Sequence, residues 1–413
     1  MRIGKQLVGA TIFVLAACST DSTEDSSTVE LFSWWVAPGE VEALDALVAV
    51  HAEEHAISVV NAAATDAETA RDRLAARLEQ GRPPDLFQAN IGVNLTDYVG
   101  ARESESRLES LESALEIDKS AFPSEVLDLA SVGGQMYGVP LNVHRINVLY
   151  YSTDVLEAAG VEPPATLDEL FVACEAIEAT GVDCLAIPAR DGWTNTLFFI
   201  ENLLVTQAGP EYYLDFLSGN ADPEDAEILA AATTYLEIYE HAASDSRSLG
   251  WDTAVERVSQ GGAGFTVMGD WAKGFMVSRG LEPGVDFGSV PFPGSGDTFV
   301  FTSDAFVLPR GAPNRSGAVD FLSTCASKEG QIEFNLLKGS IPARTDVDPA
   351  AFDPLAQQTL EEFASGRLVP AQSALGVDAF TSPVGDAIGE MLETGDPAIA
   401  VNTMSAYYDL LKD

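Results

Sequence analysis

Five tryptophans and a handful of polar residues hold most of the chemical content of this sequence. Trp34 and Trp35 close the first apolar run, and Trp271 follows the Gly269-Asp270 end of another. Trp193 and Trp251 fall on loop-like segments. A pyranose presents apolar C–H faces and a ring of hydroxyls; aromatic planes suit the first, and charged or amide groups suit the second. Glu40 begins the helix after Trp34-Trp35, where free backbone N–H groups favour a carboxylate. Asp304 interrupts an apolar strand, and a polar group buried there needs a partner. Lys338, before Gly339, adds a cation. His144 reads equally as a site residue and as a hydrogen-bonded core or hinge histidine. No G-x-S-x-G, H-E-x-x-H, Walker or G-x-G-x-x-G pattern occurs. His51 and His55 are spaced as a metal pair on a helix, but no third ligand accompanies them, so the expectation is a solvated face. With 64 acids, a glycosidase-type carboxylate pair remains an alternative.

The elements that position these residues alternate between short apolar runs and helical periodicity, which predicts an α/β architecture. Val29 to Trp35, Ile57 to Asn61 and Asp85 to Ala89 read as parallel strands joined by helices, the last of them spanning Ala67 to Gln80. In such sheets ligands bind beyond the carboxyl ends of the strands. Adjacent strand residues face opposite sides, so one of Trp34 and Trp35 packs inward while the other faces a cleft. Leu141 to Tyr151 is a long extended stretch suited to carrying the chain from one lobe to another. Phe299 to Leu308 reads as one strand, Leu167 to Thr180 as a helix, and Cys184 to Ile187 as the strand after it.

The 413 residues are 46% hydrophobic and 21% charged, with a net charge of −42. A field of that sign repels phosphate backbones, so nucleic acid is not an expected partner. No D-x-[DN]-x-[DN]-G cation loop occurs, and neither a metal nor a cofactor is expected. The acidity reads as a solvated surface.

Arg2 and Lys5 precede a ten-residue apolar run, then Leu15-Ala16-Ala17-Cys18. This resembles a bacterial lipoprotein signal, with lipid added to Cys18 and the protein held at a membrane outside the cytoplasm. Ser19 to Thr28 is polar and reads as a flexible tether. Cys174, mid-helix, and Cys184, at a strand start, read first as buried thiols set too far apart to bridge, with a disulfide, which the compartment permits, as the alternative. Cys325 reads as a buried apolar residue.

Seven segments together resemble the solute-binding lipoproteins of bacterial ABC sugar importers, and more narrowly the glucose-binding group of the maltose-binding-like superfamily. They are Trp34 to Glu40, Gly81 to Asp85, Val139 to Arg145, Met268 to Gly274, Val290 to Gly294, Ser303 to Phe306, and Lys338 to Arg344. The resemblance implies a two-lobed periplasmic-binding-protein fold of type II with sugar bound between the lobes. It gives one lobe at 29–138 plus 299–341 and the other at 141–289 plus 345–413, with crossings near Gly138–Pro140, Pro291–Asp297 and Gly339–Arg344. It makes Trp35 and Trp251 candidates to stack on the sugar, with Trp34, Trp193 and Trp271 around the pocket. Glu40, Asp304 and Lys338 become candidates for hydroxyl contacts. The sequence departs from the pattern twice. Asn90 stands where the family often has Lys, and Ala374 stands where it often has a ligand-facing His. The implied function is capture of a neutral sugar, glucose or another monosaccharide first and a larger saccharide second, by a monomer that delivers it to an ABC permease. A sensory receptor is the further alternative.

Overall fold

A computed structural model describes residues 27–63, 67–100, 105–376 and 378–412. The lipoprotein signal, Cys18 and nearly all of the tether lie outside the described residues. Among the described residues the apolar runs assemble into two large hydrophobic cores and two small clusters. The first draws on residues from Val29 to Val143 and from Phe299 to Ala343. The second draws mainly on Ile146 to Phe292 and on Val369 to Tyr408.

The first lobe carries a five-stranded sheet in the order Ser58–Asn61, Thr28–Phe32, Leu86–Asn90, Asp304–Val307, Gly138–Pro140. The first three strands are parallel, as β-α-β crossovers require. Asp304–Val307 runs antiparallel to both of its neighbours and sets Asp304 opposite Asn90. The second lobe holds the sheet Phe287–Pro291, Val148–Ser152, Ala263–Val267, Asp183–Leu185.

A third sheet, Ile341–Pro342, Asn142–Arg145, Thr298–Thr302, Arg367–Pro370, joins the two lobes. The stretches expected as single strands, Leu141 to Tyr151 and Phe299 to Leu308, are each two strands, one in this sheet and one in a lobe. Side-chain alternation explains how one strand serves both lobes. Phe299 and Phe301 enter the first core, while Val300 between them enters the second.

Two further expectations are corrected. Cys174 and Cys184 form a disulfide, with Cα atoms 4.9 Å apart. Thr180 and Gly181 turn the chain sharply after the helix Leu167–Glu178, so the helix lies back along the strand Asp183–Leu185. His51 is buried rather than solvated, because the helix Glu40–Glu54 is covered by the helices Arg315–Ala326 and Lys328–Lys338. Its Nδ1 lies 2.9 Å from Thr324 Oγ1. Cys325 is a buried thiol.

Candidate functional site

Trp34 and Trp35 follow the strand Thr28–Phe32 and divide as alternation requires. Trp35 is 1% exposed, with ring centroids 5.5 Å from Phe306 and 5.2 Å from Phe334. Lys338 Nζ stands 5.5 Å from the same ring. Trp35 is therefore packed within the first lobe's core, with Lys338 over its ring. Trp34 is the partly exposed member of the pair. Its backbone N–H donates to Gln88 Oε1 at 3.2 Å, and the Arg71 guanidinium lies 5.4 Å from its ring.

The joint between the lobes holds a buried ionic network. Asn142 and His144 share one face of the strand Asn142–Arg145, two residues apart. His144 Nδ1 meets Asp270 Oδ1 at the end of a second-lobe strand, and Nε2 lies 2.9 Å from Asp304 Oδ2 in the first lobe. With a carboxylate at each nitrogen, the protonated ring can donate to both lobes, and Asn142 Nδ2 also lies 2.9 Å from Nε2. Burial works against that charge, yet Asp270 and the hydrogen bonds to both carboxylates raise the His144 pKa above its ordinary value, with Lys338 opposing. Burial alone would raise Asp304, but the His144 hydrogen bond and charge, helped by Lys338 and Gln88, hold it at about 2. Asp304 also accepts from Gln88 Nε2 at 2.8 Å and Asn142 Nδ2 at 3.1 Å. Asp270 Oδ2 accepts the Arg145 N–H at 2.9 Å.

Aromatic rings lead outward from this network. Trp271 meets His144 edge-on at 5.3 Å, and Trp193 lies 6.2 Å from Trp271. Trp193, at the start of a short helix rather than on a loop, is 46% exposed. Asn90, opposite Asp304 in register, is 9% exposed and has no side-chain hydrogen bond among the described residues. Lys338 Nζ lies 3.2 Å from Glu40 Oε1, and Lys338 is 2% exposed. Lys338 is buried and Glu40 partly so, unlike a surface salt bridge. Trp251 opens the helix Trp251–Ser259 and packs on Phe275 at 5.5 Å, a contact separate from the His144 network.

Beside Glu40 and Lys338 the two lobes meet backbone to backbone. Gly39 has φ 85°, and a β-carbon there would stand 2.7 Å from the Gly274 carbonyl. A β-carbon on Gly274 would stand 2.5 Å from Lys338 O. No larger residue fits either position without moving a lobe.

The sequence reading did not single out Asp270, Gln88 or Asn142. Asn142 carried a signal, its two-residue spacing from His144. Gln88 and Asp270 reach the network from strands distant in sequence, and nothing local announces that.

Two α/β lobes around a polar, aromatic-lined joint define a two-lobed binding protein. Comparison with known proteins agrees. The sequence family of bacterial extracellular solute-binding proteins matches residues 37–332. An ABC transporter extracellular-binding protein of Pyrococcus horikoshii is 30% identical over 388 residues, which is 92% of this chain and 86% of that one. The xylose/arabinose-binding protein XacG of Haloferax volcanii is 30% identical over 370 residues, 87% of this chain and 78% of that one. The bacterial solute receptor AcbH shares the fold, with a TM-score of 0.83 at 16% identity over 92% of this chain and 97% of that one. The chain belongs to the bacterial extracellular solute-binding protein family. It is a transporter's binding protein that works outside the cytoplasm, not an enzyme, and the glycosidase alternative falls away. Among the described residues no helix is long and apolar enough to cross a membrane.

Proposed function

We propose that this chain captures a neutral sugar between its lobes and delivers it to an ABC permease, with a monosaccharide such as glucose as the first ligand to test. The observation that carries the reading is Trp271 set edge-on against the His144 imidazolium, which Asp270 and Asp304 hold from opposite lobes. An aromatic face beside fixed, fully paired charges suits a ligand with apolar C–H faces and many hydroxyls. Asn90 has a free amide for hydroxyl contacts, and Trp34, Glu40 and Lys338 stand on the first-lobe side. A ligand touching both walls favours the closed arrangement of the lobes. The named specificity of the Haloferax relative is in keeping with a small sugar.

A di- or oligosaccharide is the second reading, and one observation favours it. Trp193 remains 46% exposed beside Trp271, which lengthens the aromatic wall outward. Calorimetry with a panel of neutral mono- and oligosaccharides separates the two readings. Saturable heat with one or more sugars is expected; silence across the panel refutes sugar capture. Lipid attachment at Cys18 is part of the proposal, and Cys18→Ser is expected to release the protein from the membrane fraction.

A further inference from the structure

Away from the His144 network, the second lobe buries another acid. Glu201 lies in the wide-turned helical segment Leu197–Leu204 and is 3% exposed. Turns of this kind are often found at functional sites. Gln372 bonds to it, Tyr213 lies close enough to feel its charge, and Thr196 Oγ1 accepts from Gln372 Nε2 at 3.0 Å. None of the three is charged. Burial raises the Tyr213 phenol far above its ordinary range, so it stays neutral at physiological pH. Glu201 Oε1 accepts the Gln372 backbone N–H at 2.8 Å, and Oε2 lies 3.4 Å from the Gln372 side-chain nitrogen.

Gln372 opens the short helix Gln372–Leu375, which touches both the joint and the opposite wall. Ser373 Oγ lies 3.3 Å from Thr302 Oγ1, and Thr302 pairs with His144 in register. Ala374 sits against Gly92 of the first lobe, where a β-carbon would come 2.3 Å from Ala374 O. Gly92 follows two residues after Asn90. From beneath, the Tyr213 hydroxyl donates to Pro370 O at 2.9 Å.

We propose that Glu201 is a positioning residue of the candidate cleft: through Gln372 it holds the helix Gln372–Leu375 against Gly92 of the first lobe, and the proton on Glu201 sets how firmly that contact is held. The consequence for ligand capture rests on the sugar-binding reading; the strut itself does not.

Burial, against the two Gln372 hydrogen bonds, pushes the Glu201 carboxyl up to about 8. The protonated acid has an O–H to place. The Gln372 amide oxygen is buried without a partner, and turning the amide over brings it to that O–H. When the segment opens, the carboxyl regains its ordinary value of 4.5. Between those two values the open form binds fewer protons, so raising the pH favours opening by up to about tenfold per unit. Above about 8 both forms are ionised and the effect levels off.

Hydrogen exchange read by mass spectrometry on the full chain tests this without any sugar. Its failure would therefore leave the sugar-binding reading untouched. After correction for intrinsic exchange, protection of the segments 371–376 and 91–95 is expected to fall about 400-fold between pH 5 and 8, then level off. Glu201→Gln, neutral at every pH, should show protection that does not vary with pH. Flat protection in the wild-type chain, or the same fall in Glu201→Gln, overturns the proposal. Low protection in Glu201→Gln at every pH, with the wild-type fall absent, would mark a packing role alone. If that variant does not fold, the wild-type fall is compared with that of the segment 142–145 around His144, and an equal fall there overturns the proposal.

Discussion

Replacing Asp304 by Asn tests whether the His144 network holds the lobes as its geometry says. At neutral pH the change removes one of two carboxylates from a buried imidazolium. The incoming amide turns either a donor toward the Nε2–H or a lone oxygen without charge. Stripping one partner from a buried ion pair costs about 3–5 kcal/mol. Acid titration gives a second, independent magnitude. Asp304 is held at about 2 against an ordinary 3.8, which corresponds to roughly 2 kcal/mol of stability. A depressed carboxylate pKa contributes fully above the ordinary value, and that contribution is lost as the pH falls through the folded one. His144 has the opposite sign: its raised pKa contributes below the ordinary 6.5, and the contribution is lost as the pH rises through the folded value. The network therefore stabilises most between the ordinary values of 3.8 and 6.5. Urea unfolding of wild type and Asp304→Asn at several pH values measures both effects. The variant should lie well below wild type at pH 5–7, and the gap should narrow by about 2 kcal/mol toward pH 2. A variant within about 1 kcal/mol of wild type at pH 6, or a gap that does not change with acid, would refute the reasoning.

Other perturbations separate roles that the sequence runs together. Trp35→Ala should destabilise the fold by about 3–5 kcal/mol, read by thermal or chemical unfolding. Trp34→Ala should leave stability nearly unchanged and weaken sugar binding about tenfold or more, read by calorimetry. Reducing the Cys174–Cys184 disulfide, or replacing both cysteines by Ser, should lower stability by about 3 kcal/mol for its short loop. Gly274→Ala should push the lobes apart, with a larger radius of gyration by X-ray scattering and weaker binding at nearly constant melting temperature. An unchanged radius and affinity would show that the contact yields elsewhere.

The sequence made the architecture legible because its signals are local. Strand and helix periods, Gly-Pro punctuation and the β-α-β order each sit within a few dozen residues. Asp304 likewise declared itself as a polar residue in an apolar strand. Of its partners, only His144 stood out, and it read equally as a core histidine. Gln88, Asn142, His144 and Asp270 are gathered by the order of strands within and between sheets, which no local pattern encodes. For the tryptophan pair, alternation showed that one faces inward; the phase of the strand, fixed by Phe306 and Phe334 across the lobe, decided which. The disulfide was only the second reading for a similar reason. Helix and strand were both read correctly, but the sharp turn at Gly181 folds them together. The burial of His51 depends on helices that arrive some 270 residues later.

The strand shared between the two cores bears on how the molecule is made. The ribosome produces this chain from one end, and the first lobe's sheet has a vacancy until Asp304–Val307 inserts between Leu86–Asn90 and Gly138–Pro140. Phe299 and Phe301 belong to that lobe, yet most of the other lobe's sequence is synthesised before they emerge. The part synthesised first therefore finishes late. Neither half is a module that truncation could isolate, since a cut on either side of Val300 leaves one core without a wall. Until Asp304–Val307 has been synthesised, the first lobe's sheet cannot close.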